Sequence, residues 1–504
     1  MSGSEVDITN ILMTLVIFLA SFYVVWGYLK TRGLPPTPTI SLPVVGHLLS
    51  MNPQDPRSQM KKWREKVGDV FSLYLGPNVV IVLNGYDAIK EAFVKRADDF
   101  SDRPFFYFDW AMNYQGLGVV MSSGPNWKEQ RSVSQGILRD LGMGKNVLAE
   151  GIQEEVAQYL TCLSKLEGKP KDIRILTNIS VANVICSVLV GQRFDYEDPK
   201  FKRVVELMNY NVTHLIGLGP TILSMYPVLH YLPGDLFNTK IISKNRREFG
   251  ELFILYFRDL KGFTEYNEAN TDNFIAKYVF QKNQKEKNGE STHLDQRNLT
   301  KVIEDLLGAG METTSTTISW FLLYMLHYPE IQEKIFNEIN SEIGTEKAPT
   351  MMDKSKLKYL NAAIMETQRI GNIVPFGVTH MCSRDTTFRG FKIPKGAHVI
   401  GNMTSVFFDK TVWGEDVDTF RPERFLDDMG DLKHFEEFTP FSVGRRVCLG
   451  EALAKMELFL YLSSMCQRFQ FLAPDPDVPP KISDVMSITK SPKPFEIRLL
   501  DRRS

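Results

Sequence analysis

The chain lacks the features that mark several large classes of protein. Its five cysteines, at 162, 186, 382, 448 and 466, form no Cys-x-x-Cys pair and no zinc-ligand spacing, so neither a disulfide framework nor a zinc site organises it. An odd, scattered set fits a reducing compartment, with four of the five as buried thiols. No Gly-x-Gly-x-x-Gly run follows a strand, so an internal flavin or nicotinamide site has no fingerprint. The formal net charge is −1 over 504 residues, which gives no argument for nucleic acid as a partner. There is no internal repeat, and no linker-like stretch divides the chain after residue 50. The roughly three domains that length alone suggests therefore give way to one large body.

Charge is also missing from residues 11–29. As a helix they would span roughly 28 Å, close to the hydrocarbon thickness of a bilayer. Glu5 and Asp7 precede the run and Lys30 and Arg32 follow it, so the body should face the cytosol. The acidic start argues for a retained anchor rather than a cleaved signal peptide. Four Asn-x-Ser/Thr sequons, at Asn178, Asn211, Asn298 and Asn402, should then carry no sugar. The proline-rich stretch Leu34–Pro43 reads as a stiff extended segment or a simple spacer. This predicts an anchor at 1–32, a proline-rich linker at 33–50 and a body at 51–504.

Within the body, Val70–Leu75 and Val79–Leu83 are β-rich runs split by Gly76-Pro77-Asn78, a hairpin signal. Residues from Thr387 to Gly396 read as a second strand pair. The pattern predicts helices at 86–96, 126–136, 147–165, 176–190, 297–327, 329–342, 356–371 and 449–467, and a polar surface loop at 282–296. The expected fold class is mostly α with small β-sheets.

Cys448 is the position with the most chemistry. It stands in Phe441-Ser-Val-Gly444-Arg-Arg446-Val-Cys448-Leu-Gly450, directly before an apolar helix. The positive end of a helix dipole favours thiolate over thiol. Flanking glycines let a flat group approach the backbone, and Arg446 adds a cation. Those are the needs of a thiolate ligand to haem iron. The segment resembles the haem-binding loop of the cytochromes P450, the haem-thiolate monooxygenases.

Other motifs follow in that family's order. Gly308-Ala309-Gly310-Met311-Glu312-Thr313-Thr314 places two glycines in an apolar helix, at a cost of about 1 kcal/mol each against alanine. That suggests a close approach or a distorted helix, and the carboxylate and hydroxyl beside it can order a proton relay. The run is similar to the family's oxygen-activation motif, which implies catalytic roles for Thr313 and Glu312 and places Ala309 at the haem. Glu366 and Arg369 share one face of a helix. With Phe420-Arg421-Pro422-Glu423-Arg424-Phe425, the resemblance implies a buried network of Glu366, Arg369 and Arg424 behind the haem. Trp127 and Arg131, one turn apart, can each donate to a propionate. The resemblance adds Arg103 and His380 to that set, with Arg446.

The wording of Leu141-Gly-Met-Gly-Lys and Gly377-Val-Thr-His380 is similar to the microsomal family-two branch. The resemblance implies a triangular helical body holding haem b, and insertion of one oxygen atom of dioxygen into a lipophilic xenobiotic, steroid or fatty acid. It also implies residence in the endoplasmic reticulum membrane with a single span. Electrons would come from a separate NADPH-dependent flavoprotein reductase, with cytochrome b5 beside it, docking on a basic face for which Lys128, Arg139, Lys145 and Arg445 are candidates. The expected distal wall is Phe105, Phe108, Ala309, Thr313, Val374, Phe376 and Ile488. A haem-thiolate isomerase or dehydratase, a haem-binding sensor without catalysis, and a cofactor-free membrane-anchored interaction protein are the rival readings. The intact Glu312-Thr313 pair disfavours the first, and the Cys448 loop disfavours the last.

Overall fold

A computed structural model describes residues 32–503 other than 53, 145, 215–217, 238 and 259–271, together with 11–15, 17–18 and 21. In chain order the main helices are α1 (Pro56–Val67), α2 (Gly124–Asp140), α3 (Asn146–Ser164), α4 (Arg174–Val190), α5 (Pro199–His214), α6 (Lys240–Arg258), α7 (Phe274–Lys287), α8 (Gln296–His327), α9 (Pro329–Glu342), α10 (Lys358–Gly371) and α11 (Glu451–Arg468). The strands are β1 (Val70–Leu75), β2 (Asn78–Asn84), β3 (His380–Met381), β4 (Thr386–Phe388), β5 (Phe391–Ile393), β6 (His398–Asn402), β7 (Phe469–Leu472), β8 (Asp484–Met486), β9 (Lys490–Pro492) and β10 (Arg498–Asp501).

The hairpin forms at the expected turn. Gly76 takes φ +58°, and β1 and β2 pair from Val70↔Leu83 to Leu75↔Asn78. A parallel β6 and an antiparallel β3 extend it to the order β1-β2-β6-β3, and three two-stranded sheets complete the β structure of the described residues. The second strand pair is β4 with β5, closed by Arg389 and Gly390, both at positive φ. Helix ends follow local chemistry. Asp295 caps α8 by accepting from the Asn298 amide at 2.7 Å. Pro329 opens α9 immediately after α8 has stopped. One core cluster runs through α3, α4, α8 and α11 and holds the site between α8 and α11.

Four expectations need correction or limits. The span at 11–29 lies largely outside the described residues, and among those described no helix is long and apolar enough to cross a membrane. The helix at 86–96 is α only to Lys90, then a π-turn over Glu91–Lys95. The loop at 282–296 is helical to Lys287, supported by Lys282 and Glu286 at 2.8 Å one turn apart. Finally, α1, α5, α6 and α7 were not foreseen. Each carries many charged and polar residues, which obscured an apolar face that does recur at helical spacing in α1, α5 and α6. The proline-rich segment is tied to the body through carbonyls, the groups proline retains. Ser72 donates its amide to Pro36 O at 2.9 Å and its hydroxyl to Pro35 O at 2.6 Å, and Lys66 reaches Pro38 O at 2.6 Å.

Lys490, on β9, is a buried cation with 2% exposure. Among the described residues its ammonium bonds only the Ile370 carbonyl, at 3.4 Å, and it lies 5.2 Å from the Trp320 ring. Burial pushes its pKa down from 10.5 to about 7. Below that value both folded and unfolded states carry the charge, and folding bears the whole cost of desolvating it. Between about 7 and 10.5 folding releases a proton, so this group makes stability rise with pH. Lys490→Met, which keeps the apolar stem, should therefore stabilise the haem-loaded protein by on the order of 4 kcal/mol near neutral pH. The advantage should shrink towards pH 10 in denaturation curves taken across the range.

Candidate functional site

Between α8 and α11 lies a cavity of ≈ 320 Å³. Cys448, Ala309, Thr313, Val374, Phe441 and Leu453 are among its walls. Cys448 reaches it from a tight loop in which the Cys448 amide donates to Phe441 O at 3.0 Å. Of the five cysteines it alone is exposed; Cys162 is half-buried and Cys186, Cys382 and Cys466 are buried. The helix dipole is not enough to make it a thiolate unaided. Loss of hydration at the cavity wall, with Glu451 adding to it, pushes the thiol above its ordinary range, against the Gly450 N–H and the Arg131 guanidinium, which pull it down. A coordinated metal ion deprotonates such a thiol outright.

The two glycines of the loop differ in purpose. Gly444 sits at φ +81°, and a side chain there would run into the Phe93 carbonyl, so it serves the packing of the loop against the π-turn. Gly450 has open space where a Cβ would stand and lines the cavity. The glycines of α8 also answer to packing. A Cβ on Gly308 would come within 3.1 Å of Met208 Sδ, and one on Gly310 within 2.7 Å of Ile185 Cδ1. They let α5 and α4 approach α8, and Ala309 between them is left open to the cavity.

Three guanidiniums converge on the same cavity. Arg103 donates to Val120 O, Val378 O and Thr379 O, Arg131 to Val447 O at 2.6 Å, and Arg446 to Ser101 O and Ser122 O. Arg446 stacks on the Trp127 ring at 3.8 Å. Among the described residues none of the three has a carboxylate within ion-pair distance. Burial, joined by mutual repulsion, lowers Arg103 to about 9 and Arg446 to about 8. The Trp127 Nε1–H is buried and has no partner among the described residues. A cluster of three cations and an orphaned N–H is short of an anionic acceptor, and the two propionates of haem are of that kind. The donor set fits the group.

His380 lines the cavity, stacked on Phe93 at 3.9 Å. Its Nδ1 lies 2.6 Å from the Phe100 carbonyl, which only accepts, so the ring proton belongs there. Burial, with Arg103 and Arg446 adding to it, holds the imidazole well below its usual pKa. The neutral ring offers its other nitrogen as a lone pair, so His380 can donate to a propionate only after taking up a proton.

Thr313 faces the cavity, its hydroxyl donating to Ala309 O at 2.8 Å. Glu312 does not line it. Its carboxylate turns to the other side of α8, where Thr489 donates at 2.8 Å and Thr316 at 3.3 Å, and burial pushes its pKa up. Behind the site, Glu366 is gripped by Arg369 at 2.7 and 2.8 Å, by Arg424 at 3.3 Å and by the Arg421 amide at 3.1 Å. Asp416, which sequence patterning did not single out, joins through Arg421 and Arg424 at 2.6 and 3.1 Å.

Of the expected distal wall, Ala309, Thr313 and Val374 line the cavity. Phe108 is instead fully buried against Leu223 and Ile242, with Phe105 beside it, and Phe376 packs on the Met60–Trp63 cluster. Ile488 is half-buried and outside the lining. Val119, Val120 and Val378 take their places. Of the basic candidates, Arg445 pairs with Asp98, and Lys145 lies outside the described residues.

Comparison with known proteins places these features in one lineage. The family description Cytochrome P450 matches residues 35–499. The chain is 37% identical to Cytochrome P450 2D3 of Rattus norvegicus, over 93% of each chain. It is 38% identical to Cytochrome P450 2G1 of Oryctolagus cuniculus, over 95% of this chain and 96% of the relative. Against Cytochrome P450 2B4 of the same species the figure is 37%, over 97% and 99%.

Proposed function

The chain belongs to the cytochrome P450 family, the haem-thiolate monooxygenases, and we propose that Cys448 ligates its haem b while the cavity above takes a lipophilic small molecule. The observation that supports this best is one exposed thiol and three carboxylate-free guanidiniums around a single cavity, with an orphaned indole N–H behind Arg446. Arg103, Arg131, Arg446 and Trp127 would take the propionates, and His380 would join them as a cation. Phe441 and Gly450 would border the ring on the Cys448 side and Ala309 on the other. Bound haem supplies the activation of dioxygen, by which one oxygen atom enters the substrate and the other leaves as water.

The residues then have to admit two protons while keeping the rest of the site dry. Thr313 is placed for this, because its hydroxyl proton is committed to Ala309 O and its oxygen is free to accept from a donor in the cavity. Glu312 acts from behind the helix. Its carboxyl, raised by burial, lies one residue away and accepts from the buried Thr489 hydroxyl. Thr313→Ala should lower product formed per NADPH by roughly three- to ten-fold and release peroxide, with the haem spectrum unchanged. Unaltered coupling would count against the relay.

Electrons come from outside the chain, and the reading assigns them to an NADPH-dependent flavoprotein reductase, with cytochrome b5 as a second donor. Lys128 and Arg139 lie on α2 with Arg131 and form the candidate basic face. The charge-free run at 11–29 supports an anchor at 1–32 in the endoplasmic reticulum membrane, a linker at 33–50 and a cytosolic body from 51. All four sequon asparagines are buried, so the folded body offers none of them to glycosylation whichever side it faces. The deciding experiment is optical. A reduced, carbon monoxide-treated sample should give the red-shifted Soret band of thiolate ligation and consume NADPH when reductase and substrate are added. A colourless protein, or one with the band of imidazole ligation, overturns the reading, and turnover without NADPH would favour an isomerase.

A further inference from the structure

Two carboxyls line the cavity, Asp305 and Glu457. Asp305 is satisfied: Lys301 lies 2.8 Å away, and the Val119 and Val120 amides donate to it at 2.9 and 3.0 Å. Glu457, on α11, is not. Only 1% exposed, it accepts one hydrogen bond, from the Thr314 hydroxyl to Oε2 at 3.0 Å. Its Oε1 is buried and has no partner among the described residues. No lysine, arginine or histidine bonds to it among the described residues. A glutamate on the buried face of an apolar helix, beside a cofactor cavity and with one unpartnered oxygen, costs too much to be plain packing.

We propose that Glu457 is a second proton-holding acid of this cavity, separate from Glu312 and serving the same reaction; the proposal rests on the haem-thiolate reading above. The arrangement decides where the proton sits. Thr314 donates to Oε2, so the acid proton belongs on Oε1, the oxygen that has no donor. An ionised carboxylate without a countercharge is disfavoured there, and burial raises the group to about 8, with Thr314 opposing. In use a turn of the side chain brings Oε1 to the cavity, where the Oε1–H bond breaks and its proton forms a new O–H bond on a water, while the electron pair stays on Oε1. The carboxylate left behind keeps its bond from Thr314 and regains a proton from solvent entering the cavity. No oxidant or reductant is needed.

The surrounding titratable groups are accounted for. Helices α3, α8, α9 and α10, strand β7 and the turn Met351–Asp353 pack on α11, and Asp353 in that turn is held by the Thr350 amide and hydroxyl. Their acids have partners of their own: Glu155 has Arg193, Ser180 and Tyr196, Glu312 has Thr489, Glu338 has the Tyr359 and Leu360 amides, and Glu366 has Arg369. Tyr461 lies one turn along α11 from Glu457 and is bonded to Ser180. Cys448 and Arg131 share the cavity.

Glu457→Gln keeps an acceptor for Thr314 and removes the acid. In the haem-loaded enzyme it should leave the carbon monoxide band intact, lower product per NADPH by roughly three-fold or more and abolish the alkaline limb of the coupling-versus-pH profile. Glu457→Asp should restore that limb in part. Infrared difference spectra of the wild type should contain the C=O stretch of a protonated carboxyl that titrates away with rising pH and is missing from Glu457→Gln. Wild-type coupling and an unchanged alkaline limb in Glu457→Gln overturn the proposal, as does an infrared band that survives the substitution. Should Glu457→Gln fail to load haem, Thr314→Val decides. Losing the donor should move the carboxyl titration to higher pH, and an unmoved or absent band overturns the idea. Loss of the thiolate band from the wild type would sink the haem-thiolate reading instead.

Discussion

Cys448→Ala should yield a protein without the red-shifted carbon monoxide band and without reductase-driven turnover. The loss should go well beyond the roughly 10–100-fold that removing a supporting contact around a metal costs. No other thiol can stand in. Cys186 and Cys466 are fully buried in the main core cluster, Cys382 is buried with its Sγ donating to Arg384 O at 3.0 Å, and Cys162 sits half-buried on α3. Among the described residues only Cys448 presents a thiol to the cavity, and its loop is fixed independently of that sulfur by the Phe441 carbonyl and by Gly444 against Phe93. The alanine variant should therefore keep its helical content and melt as one unit, and the three guanidiniums should still retain some porphyrin. Absorption spectra of the reduced, carbon monoxide-treated variant and its circular dichroism, measured together, check both halves. A surviving thiolate band would reassign the ligand.

The parts of this site that were legible in the sequence are those where chemistry dictates residue type at fixed local spacing. Cys448 with Gly450, Arg131, and Glu366 with Arg369 are each set within a single loop or one helical turn. Helix limits were also readable where a cap or a proline sets them: the ends of α8 and α9 fall within a residue of expectation because Asp295 and Pro329 act on their neighbours. What failed depends on distant contacts. Phe105 and Phe108 lie on a segment whose course is decided by α6 and by the residues after α5, so their rings meet Leu223 and Ile242 rather than the cavity. Phe376 is claimed by Trp63 and Met60. The glycines of α8 looked like room for a ligand and are room for Met208 and Ile185. Glu312 could be placed beside Thr313 in sequence, but helical rotation puts consecutive residues on different faces, and the carboxylate went to Thr489. One missed signal was available. A single glutamate at 457 inside Leu-Ala-Lys-Met-Glu-Leu-Phe-Leu breaks an apolar helix, as Asp305 does in α8.

The ion network behind the cavity should have the largest effect on folding. Arg369→Ala should cost about 3–5 kcal/mol and leave little haem-loaded protein. Arg369 and Glu366 are both wholly buried, and the guanidinium makes two bonds to the carboxylate and one each to the Phe407 and Val417 carbonyls. It also lies 5.7 and 5.6 Å from the Phe408 and Trp413 rings. Removing it strands a carboxylate that Arg424, at 3.3 Å, holds through only one bond, and orphans two carbonyls. Arg369→Lys should not rescue the fold, since a point charge cannot serve four acceptors laid out for a planar fork. By contrast Arg203→Ala, which breaks an exposed pair with Glu248 at 2.7 Å, should cost no more than about 1 kcal/mol. The comparison isolates burial from charge, because both are arginine–glutamate pairs of similar length. The double change Glu366→Leu with Arg369→Leu tests the same point from the other side. If the cost comes from the stranded carboxylate, it should destabilise less than the sum of the two single changes, read from urea midpoints and from the fraction of protein giving the thiolate band.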